Sequence, residues 1–366
     1  MVELKEIDVK TEASVFGSLS THQHEQLVFC HDHETGLKAI IGIHNTVLGP
    51  ALGGTRMWPY ASEAEAINDV IRLSRGMTYK ASISGLNLGG GKAVIIGDSR
   101  KDKGEAFMRK YGRFVENLNG KYITAEDVGT STKDMEYIKM ETDHVAGLPE
   151  TMGGSGDPSP VTAYGTYMGM KASAKKAWGS DSLEGKKISV QGVGHVGGYL
   201  VELLAKENAE LYITDIYEDR LKEISSKYNA KVVGLEDVYD LDVDIYAPCA
   251  LGATVNNETL RRLKCQIVAG SANNQLQDES VHGPALMERG ILYAPDFLIN
   301  AGGLINVYSE LQGYNRESAY SQTEKIYDYV LEIFNKSESE GIHTQLAANR
   351  IAEKRISDIG KVKATY

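Results

Sequence analysis

One run of seven residues constrains this chain more than any other feature. Gly192-Val-Gly194-His-Val-Gly197-Gly198 sits between a predicted strand, Lys187–Gln191, and a predicted helix, His195–Glu207. The next predicted strand, Glu210–Thr214, ends at Asp215, 23 residues after Gly192. Strand, glycine turn, helix, strand and acid, in that order and at that spacing, match the dinucleotide-binding βαβ fingerprint. Gly192 allows the tight turn, Gly194 lets backbone approach a pyrophosphate, and Gly197 permits close helix–strand packing. Val193, His195, Val196 and Gly198 complete the loop, whose helix N-terminus offers unpaired N–H groups to phosphate. Asp215 can accept from both adenosine-ribose hydroxyls and repels a 2′-phosphate, which favours NAD over NADP; Arg220 is the nearby cation that opposes this choice.

The alternation continues downstream. Short apolar strands at Val243–Ala247, Gln266–Ala269 and Ile291–Ala294 alternate with helical stretches such as Glu218–Tyr228. That pattern predicts βαβ units and a doubly wound parallel sheet, a Rossmann domain. Loops at the carboxyl ends of such strands face the ligand, so Asn273 and Asn300 are candidates to bond a nicotinamide carboxamide. The alternative for each is a turn asparagine bonded to its own backbone. A chain of 366 residues exceeds one ordinary domain. The Gly-, Ser- and Pro-rich run Glu150–Pro160 supplies a boundary. The expected fold class is therefore α/β with two domains. Residues 1–150 form an α/β first domain. Residues 151–341 form the NAD-binding domain.

In the first domain, strands are expected at Gln26–Cys30, Leu37–His44, Ala93–Ile96 and Tyr122–Thr124. Ser62-Glu-Ala-Glu65 reads as a capping box opening a helix that runs to about Gly76, with Lys80 just beyond it. A second helix is expected over Lys103–Leu118. The C-terminal stretch is read as helices at Ile305–Leu311, Ser318–Ser339 and Thr344–Ile359.

Composition excludes several classes. The net charge of −11 disfavours a nucleic-acid-coating role. No run of 18 apolar residues exists to span a membrane. Met1–Lys10 lacks the apolar core of a secretory leader. The three cysteines, Cys30, Cys249 and Cys265, show no CxxC spacing, which fits free thiols in the cytoplasm rather than disulfides or structural zinc. Two histidine pairs, His22/His24 and His31/His33, have the alternate spacing of strand chelators. They are read instead as polar residues on the exposed face of an early hairpin, so no metal is expected. Glycine is in surplus, 38 of 366 residues or about 10% against a usual ~7%, and it clusters inside apolar sequence.

One cluster, Gly89-Gly90-Gly91, leads directly into Lys92. This is not a phosphate-binding Walker loop, because Ala93 stands where that motif needs Ser or Thr. A second lysine, Lys80, precedes Lys92 by twelve residues, and a carboxylate, Asp127, follows in Thr-Ala-Glu-Asp-Val-Gly-Thr. Two lysines sharing one cleft disfavour each other's charge, and a lysine tuned towards neutral can act as a general base. The alternative is a pair of solvated surface lysines.

Five segments, GPALGGTRMWP (49–59), RGMTYKASISGLNLGGGKAVI (75–95), TAEDVGT (124–130), GVGHVGGYL (192–200) and PDFLINAGGLINV (295–307), resemble the amino-acid dehydrogenase family that includes the glutamate, leucine, phenylalanine and valine enzymes. The resemblance spans nearly the whole chain and is strongest to leucine-type members. It implies reversible oxidative deamination of an L-amino acid to a 2-oxo acid and ammonia. By the same resemblance, Lys80 pairs with the substrate α-carboxylate, Lys92 activates the water that attacks the imino carbon, and Asp127 shuttles protons at the substrate nitrogen. Gly53 and Gly54 match backbone that approaches the substrate. Further implications are closure of the two domains, a C-terminal helix at about 342–366 that rejoins residues 1–150, a substrate and oligomerisation role for that α/β domain, and a homo-oligomer, an octamer for leucine-type members.

Two departures within the resemblance set the side-chain class. Glutamate enzymes carry a lysine where this chain has Leu52, and a serine where it has Val307. An apolar pocket of Leu52, Ala125, Leu304 and Val307 suits leucine, valine or isoleucine, with phenylalanine as the alternative. One methylene shifts selectivity by only ~1–3 kcal/mol, and Tyr308, where leucine enzymes often have a smaller residue, alters the pocket's far end. A silent NAD-binding regulator would need Lys92 or Asp127 lost, and both are present. A nucleoside-triphosphate enzyme would need the missing Ser or Thr.

Overall fold

A computed structural model defines the chain over residues 14–363; the Met1–Lys10 segment and the last residues of the expected 342–366 return lie outside that range. The chain forms two compact units, one ending at Gly156 and resumed from Arg355, the other Asp157–Lys354.

The first unit is built on a sheet of β1 (Gln26–His31), β2 (Lys38–Asn45), β3 (Ala51–Trp58), β4 (Gly89–Ile96) and β5 (Tyr122–Glu126). Its strand order is β1-β2-β4-β3-β5, with β2 antiparallel to both β1 and β4, and β3 parallel to both β4 and β5. Successive strand residues point to opposite faces. One face, with Ala39, Ile41, Ala93, Ile95 and Tyr122, packs on Met108, Tyr111, Met135 and Ile138 of the helices Glu105–Glu116 and Thr132–Lys139. The other face, with Ile40 and Val94, packs on Ala66, Val70 and Ile71 of the helix Glu63–Ile83.

The long helix corrects two expectations. Ser62 caps it, accepting from Glu65 N, but Glu65 reaches back to Ala61 N, one residue outside the usual box. It also runs through Gly76 to Ile83, which places Lys80 in its last turn. A mid-helix glycine costs roughly 1 kcal/mol relative to alanine; burial of Thr78, Ala81 and Ser82 beyond it offsets that cost. The glycine run is likewise strand rather than loop. A Cβ on Gly90 would lie 2.1 Å from Thr78 N, so this glycine lets the helix lie directly on β4. Strand β3 and the helix Thr132–Lys139 were not anticipated. The expected Ser318–Ser339 helix is two, Arg316–Glu324 and Ile326–Glu340, parted where Lys325 takes a flattened ψ of −15°.

The second unit carries six parallel strands, β6 (Lys187–Gln191), β7 (Glu210–Thr214), β8 (Lys231–Val232), β9 (Ile245–Pro248), β10 (Ile267–Val268) and β11 (Leu292–Tyr293). Their order, β11-β10-β9-β6-β7-β8, is the doubly wound arrangement with its reversal between β6 and β9. The helix Ser159–Trp178 belongs to this unit, as does the start of the last helix, Thr344–Lys363. From Arg355 onward that helix groups with the first unit.

Candidate active site

Strand register assembles the first-unit site. Leu52 pairs with Gly90 and Ile123, Gly54 with Ala125, Arg56 with Val94, and Gly42 with Lys92. Period-two alternation therefore puts Leu52, Gly54, Arg56, Lys92 and Ala125 on one face, the one covered by the helix Glu63–Ile83. Asp127 follows directly after β5. Lys92 is only 7% exposed, and its Nζ lies 2.7 Å from Asp127 Oδ2. Arg56 Nε approaches the same oxygen at 3.4 Å, without hydrogen-bond geometry. Burial pushes the Asp127 carboxyl up, but Lys92 and then Arg56 outweigh burial and hold it below the usual carboxylate range. The site therefore contains a carboxylate shared by two cations.

Arg56 is itself anchored. Its Nη1 donates to Asp69 Oδ2 at 2.9 Å, Tyr60 OH donates to the same oxygen at 2.8 Å, and Arg72 Nη2 donates to Asp69 Oδ1 at 3.0 Å. Sequence reasoning missed Arg56 and Asp69. The signal available was the alternation Leu52, Gly54, Arg56 within an unrecognised strand.

Lys80 is half-buried, and its carbonyl accepts from Ser84 Oγ at 2.7 Å. The turn that follows is capped by Arg355, whose Nη1 donates to Leu86 O at 2.7 Å and Ser82 O at 3.1 Å, and whose Nη2 donates to Gly85 O. Leu52 and Ala125 are buried. On the side where Gly53 lacks a Cβ, the Gly91 carbonyl would lie 1.7 Å from it; at Gly54 the neighbour is Glu126 O at 2.5 Å. The side-chain positions of these two glycines are thus filled by neighbouring strands.

In the second unit, Gly192 takes φ +97°. A Cβ on Gly197 would come within 2.0 Å of Gly192 O, so this glycine sets the close packing of helix on loop. At Gly194 the nearest atom is Arg220 Nη1 at 3.5 Å. His195 opens the helix and is exposed, Val193 is buried, and Val196 and Gly198 are half-buried. Asp215 accepts from Val193 N at 2.8 Å and from Tyr217 N at 3.0 Å, one bond per oxygen. Each carboxylate oxygen keeps a further acceptor site for a hydroxyl. A cavity of about 470 Å³ opens here, lined by Gly192, Gly194, Asp215, Arg220, Ala250 and Thr254 among others. Its volume and its acid fit the adenosine end of a dinucleotide.

Asn273 and Asn300 come together: Asn300 Nδ2 donates to Asn273 Oδ1 at 2.8 Å and to Ser271 O at 3.1 Å. Asn300 Oδ1 is buried with no hydrogen-bond partner. Such an acceptor is costly unless a donor reaches it, and a carboxamide N–H is a donor of the right kind. Leu304 and Val307 lie one turn apart on the helix Gly302–Glu310, Leu304 buried and Val307 half-buried.

The histidines do not form strand pairs. His22 ends the helix Val15–His22, and Gln23 turns left-handed with φ 56°. His24 Nε2 lies 2.9 Å from Ser74 Oγ, and its ring stacks edgewise on that of His44 with 4.7 Å between centroids. Among the described residues no cluster of three or more His, Cys, Asp or Glu is placed to hold a metal ion.

This geometry, a cation-bound carboxylate on one sheet and a dinucleotide loop on another, is that of a two-unit oxidoreductase, and the comparisons with known proteins agree. Residues 24–144 match the model of the Glu/Leu/Phe/Val dehydrogenase dimerisation domain, and residues 153–216 and 212–363 match that of Glutamate/Leucine/Phenylalanine/Valine dehydrogenase. The chain is 57% identical to leucine dehydrogenase of Thermoactinomyces intermedius over 352 residues, 96% of each chain. It is 55% identical to leucine dehydrogenase of Bacillus cereus over the same share of both. The crystal structure of L-tryptophan dehydrogenase from Nostoc punctiforme superposes with a TM-score of 0.85 at 44% identity, covering 94% of this chain and 99% of that one. The chain belongs to the glutamate/leucine/phenylalanine/valine dehydrogenase family.

Proposed function

We propose that this chain catalyses the NAD-dependent, reversible oxidative deamination of L-leucine and other branched-chain L-amino acids to 2-oxo acids and ammonia. The observation that carries the reading is the ion pair of buried Lys92 with half-buried Asp127 on the sheet face that also bears Leu52 and Ala125. The likeness to two leucine dehydrogenases supports the choice of substrate.

Each residue has a task in this scheme. Lys80 orients the α-carboxylate by a charge-assisted bond. Asp127, ionised as its two cations require, takes a proton from the substrate ammonium. The bound nicotinamide supplies a two-electron acceptor for the hydride that leaves Cα. Lys92, in its neutral form, removes a proton from the water that adds to the imino carbon. Asp127 then returns its proton to nitrogen, and as the C–N bond breaks the added hydroxyl releases its proton to solvent, leaving the 2-oxo acid and ammonia. Leu52, Ala125, Leu304 and Val307 receive the apolar side chain; Gly53 and Gly54 bring β3 backbone to the substrate. A γ-carboxylate buried beside Leu52 and Val307 without a partner would cost several kcal/mol, so glutamate is rejected.

The cofactor is held by Gly192 to Gly198 at the pyrophosphate, Asp215 at the adenosine ribose, and Asn273 and Asn300 at the carboxamide. Residues 151–341 are assigned as the NAD-binding domain, and 1–150 with the C-terminal helix as the substrate and oligomerisation domain. A homo-oligomer, an octamer in our reading, is supported by the dimerisation-domain match. The free thiols Cys30, Cys249 and Cys265 support a cytoplasmic enzyme, and no helix among the described residues is long and apolar enough to cross a membrane.

The test is a panel of leucine, valine, isoleucine, phenylalanine and glutamate, each read as kcat/KM from NADH absorbance. Leucine, valine and isoleucine lead and glutamate is at least about a hundredfold slower, the range set by an unpartnered buried charge. Lys92→Ala loses at least about a hundredfold in kcat, the usual weight of a general base. A phenylalanine optimum, or an active Lys92→Ala enzyme, overturns the assignment.

A further inference from the structure

Lys92 cannot remain the counter-ion of Asp127 throughout the reaction just described. Asp127 must give back the proton it takes from the substrate, and its nearest cation, Lys92 at 2.7 Å, is itself assigned a proton-transfer role. Groups beside Asp127 include Arg56 from β3, the hydroxyls of Tyr60 and Tyr122, and, behind Arg56, Asp69 from the helix Glu63–Ile83, which also carries Lys80, the residue assigned above to the substrate α-carboxylate. Arg56 is a cation at ion-pair distance from Asp127, and a guanidinium does not deprotonate in proteins.

We infer that Arg56 is a positioning residue for the proton shuttle: held by Asp69, it is the fixed counter-charge of Asp127, the one that exchanges no proton during the cycle. This rests on the role proposed for Asp127. Three observations carry it. The Arg56 guanidinium is pinned from behind, through Nη1 to Asp69 Oδ2 at 2.9 Å, so it cannot swing fully onto Asp127. Its Nε stands 3.4 Å from Asp127 Oδ2 and makes no hydrogen bond there. It therefore supplies charge at close range without occupying the oxygen that must receive a proton. Asp69 is pinned in turn by Tyr60 and Arg72, which fixes the depth of the arginine.

The arrangement makes Asp69 and Arg56 antagonists. Arg56 lowers the proton affinity of Asp127, and Asp69, a negative charge one shell further out, partly cancels it. Arg56→Met removes the cation and keeps the length of the side chain. It moves the acidic limb of the kcat/KM profile for leucine oxidation upward by about one pH unit, the usual effect of one close charge, with KM for leucine changed less than threefold. Because Lys92 shapes the same limb, the shift is assigned to Asp127 by carbon-13 NMR titration of its carboxyl in a Lys92→Met background, where Arg56→Met must move it in the same direction. Arg56→Lys returns the limb most of the way. Asp69→Asn moves it the other way, to lower pH. Loss of shape alone cannot produce opposite shifts in the two variants, and far-ultraviolet circular dichroism with NADH binding checks that each has folded.

If Arg56→Met lowers kcat at every pH and leaves the limb in place, or if both variants shift it in one direction, the inference is wrong. Asp127→Asn separates this from failure of the underlying reading. An inactive Asp127→Asn enzyme with an unmoved Arg56→Met limb refutes only the role of Arg56; an active Asp127→Asn enzyme refutes the proton shuttle itself.

Discussion

A single methyl group is more than β4 can accept at Gly90. A Cβ there would meet Thr78 N and Thr78 Oγ1 at 2.1 Å each, both on a helix that also holds Lys80. Gly90→Ala must push that helix off the sheet, and overpacking of this kind costs about 1–3 kcal/mol or more. Gly76 in the same helix has nothing within 4 Å of its would-be Cβ, so Gly76→Ala gains about 0.5–1 kcal/mol in helix propensity. Thermal unfolding should therefore show Gly90→Ala melting below the parent and Gly76→Ala at or above it; the reverse order would mean the glycine run is not a packing device. At this scale the readable residues were those embedded in local patterns. Asp215 sits at a fixed distance from a glycine turn, and Lys92 and Asp127 stand in long distinctive motifs. Arg56 was not readable, because its task follows from strand pairing across β3, β4 and β5, which no local window displays.

Between residue and whole lies the junction of β2 with the helices Val15–His22 and Glu63–Ile83. His44 is buried with Nδ1 2.8 Å from Thr78 Oγ1, and His24 packs against it. Burial, with the charges of His22 and Arg75 adding at His24 and those of His24 and Arg75 at His44, lowers His24 to about 4 and His44 to about 3. Both are neutral near pH 7. Below an unfolded value of about 6.5 the unfolded chain binds protons that the folded chain refuses, so stability falls as pH drops from 6.5 towards 4. The lowered carboxylates, such as Asp127, act only below their own unfolded range near 4. A melting temperature already falling between pH 6.5 and 4.5, and falling less steeply in that window in His44→Gln, where His24 alone remains, is the expected result; a flat parent profile there would refute it. These elements also show where periodicity fails. Propensity alone stops the helix at Gly76, because the sheet that supports its last turns is distant in sequence, and the glycines of β3 mask its alternation.

For the whole molecule, the parallel, doubly wound class of the second unit is the most legible feature, since strands alternating with helices leave few right-handed ways to wind; the two-residue β8 is too short to show in the pattern. The antiparallel entry of β2 between β1 and β4 was not legible, because it depends on non-local pairing. Ligand linkage tests the second unit directly. NADH at a hundredfold excess over its Kd should stabilise the protein by about 2.7 kcal/mol. NADPH at the same concentration should do less, and Asp215→Ala should narrow the gap between them; equal shifts from both cofactors in the parent would sink the role given to Asp215. Arg355 adds a temporal consequence. Its guanidinium closes the turn between Lys80 and Lys92 across a sequence separation of 269 residues. A ribosome has threaded out both lysines, both sheets and the dinucleotide loop before it reaches that arginine. A nascent chain thus carries every reacting group while its lysine-bearing turn is still uncapped, and the first unit is among the earliest parts made yet among the last to be finished.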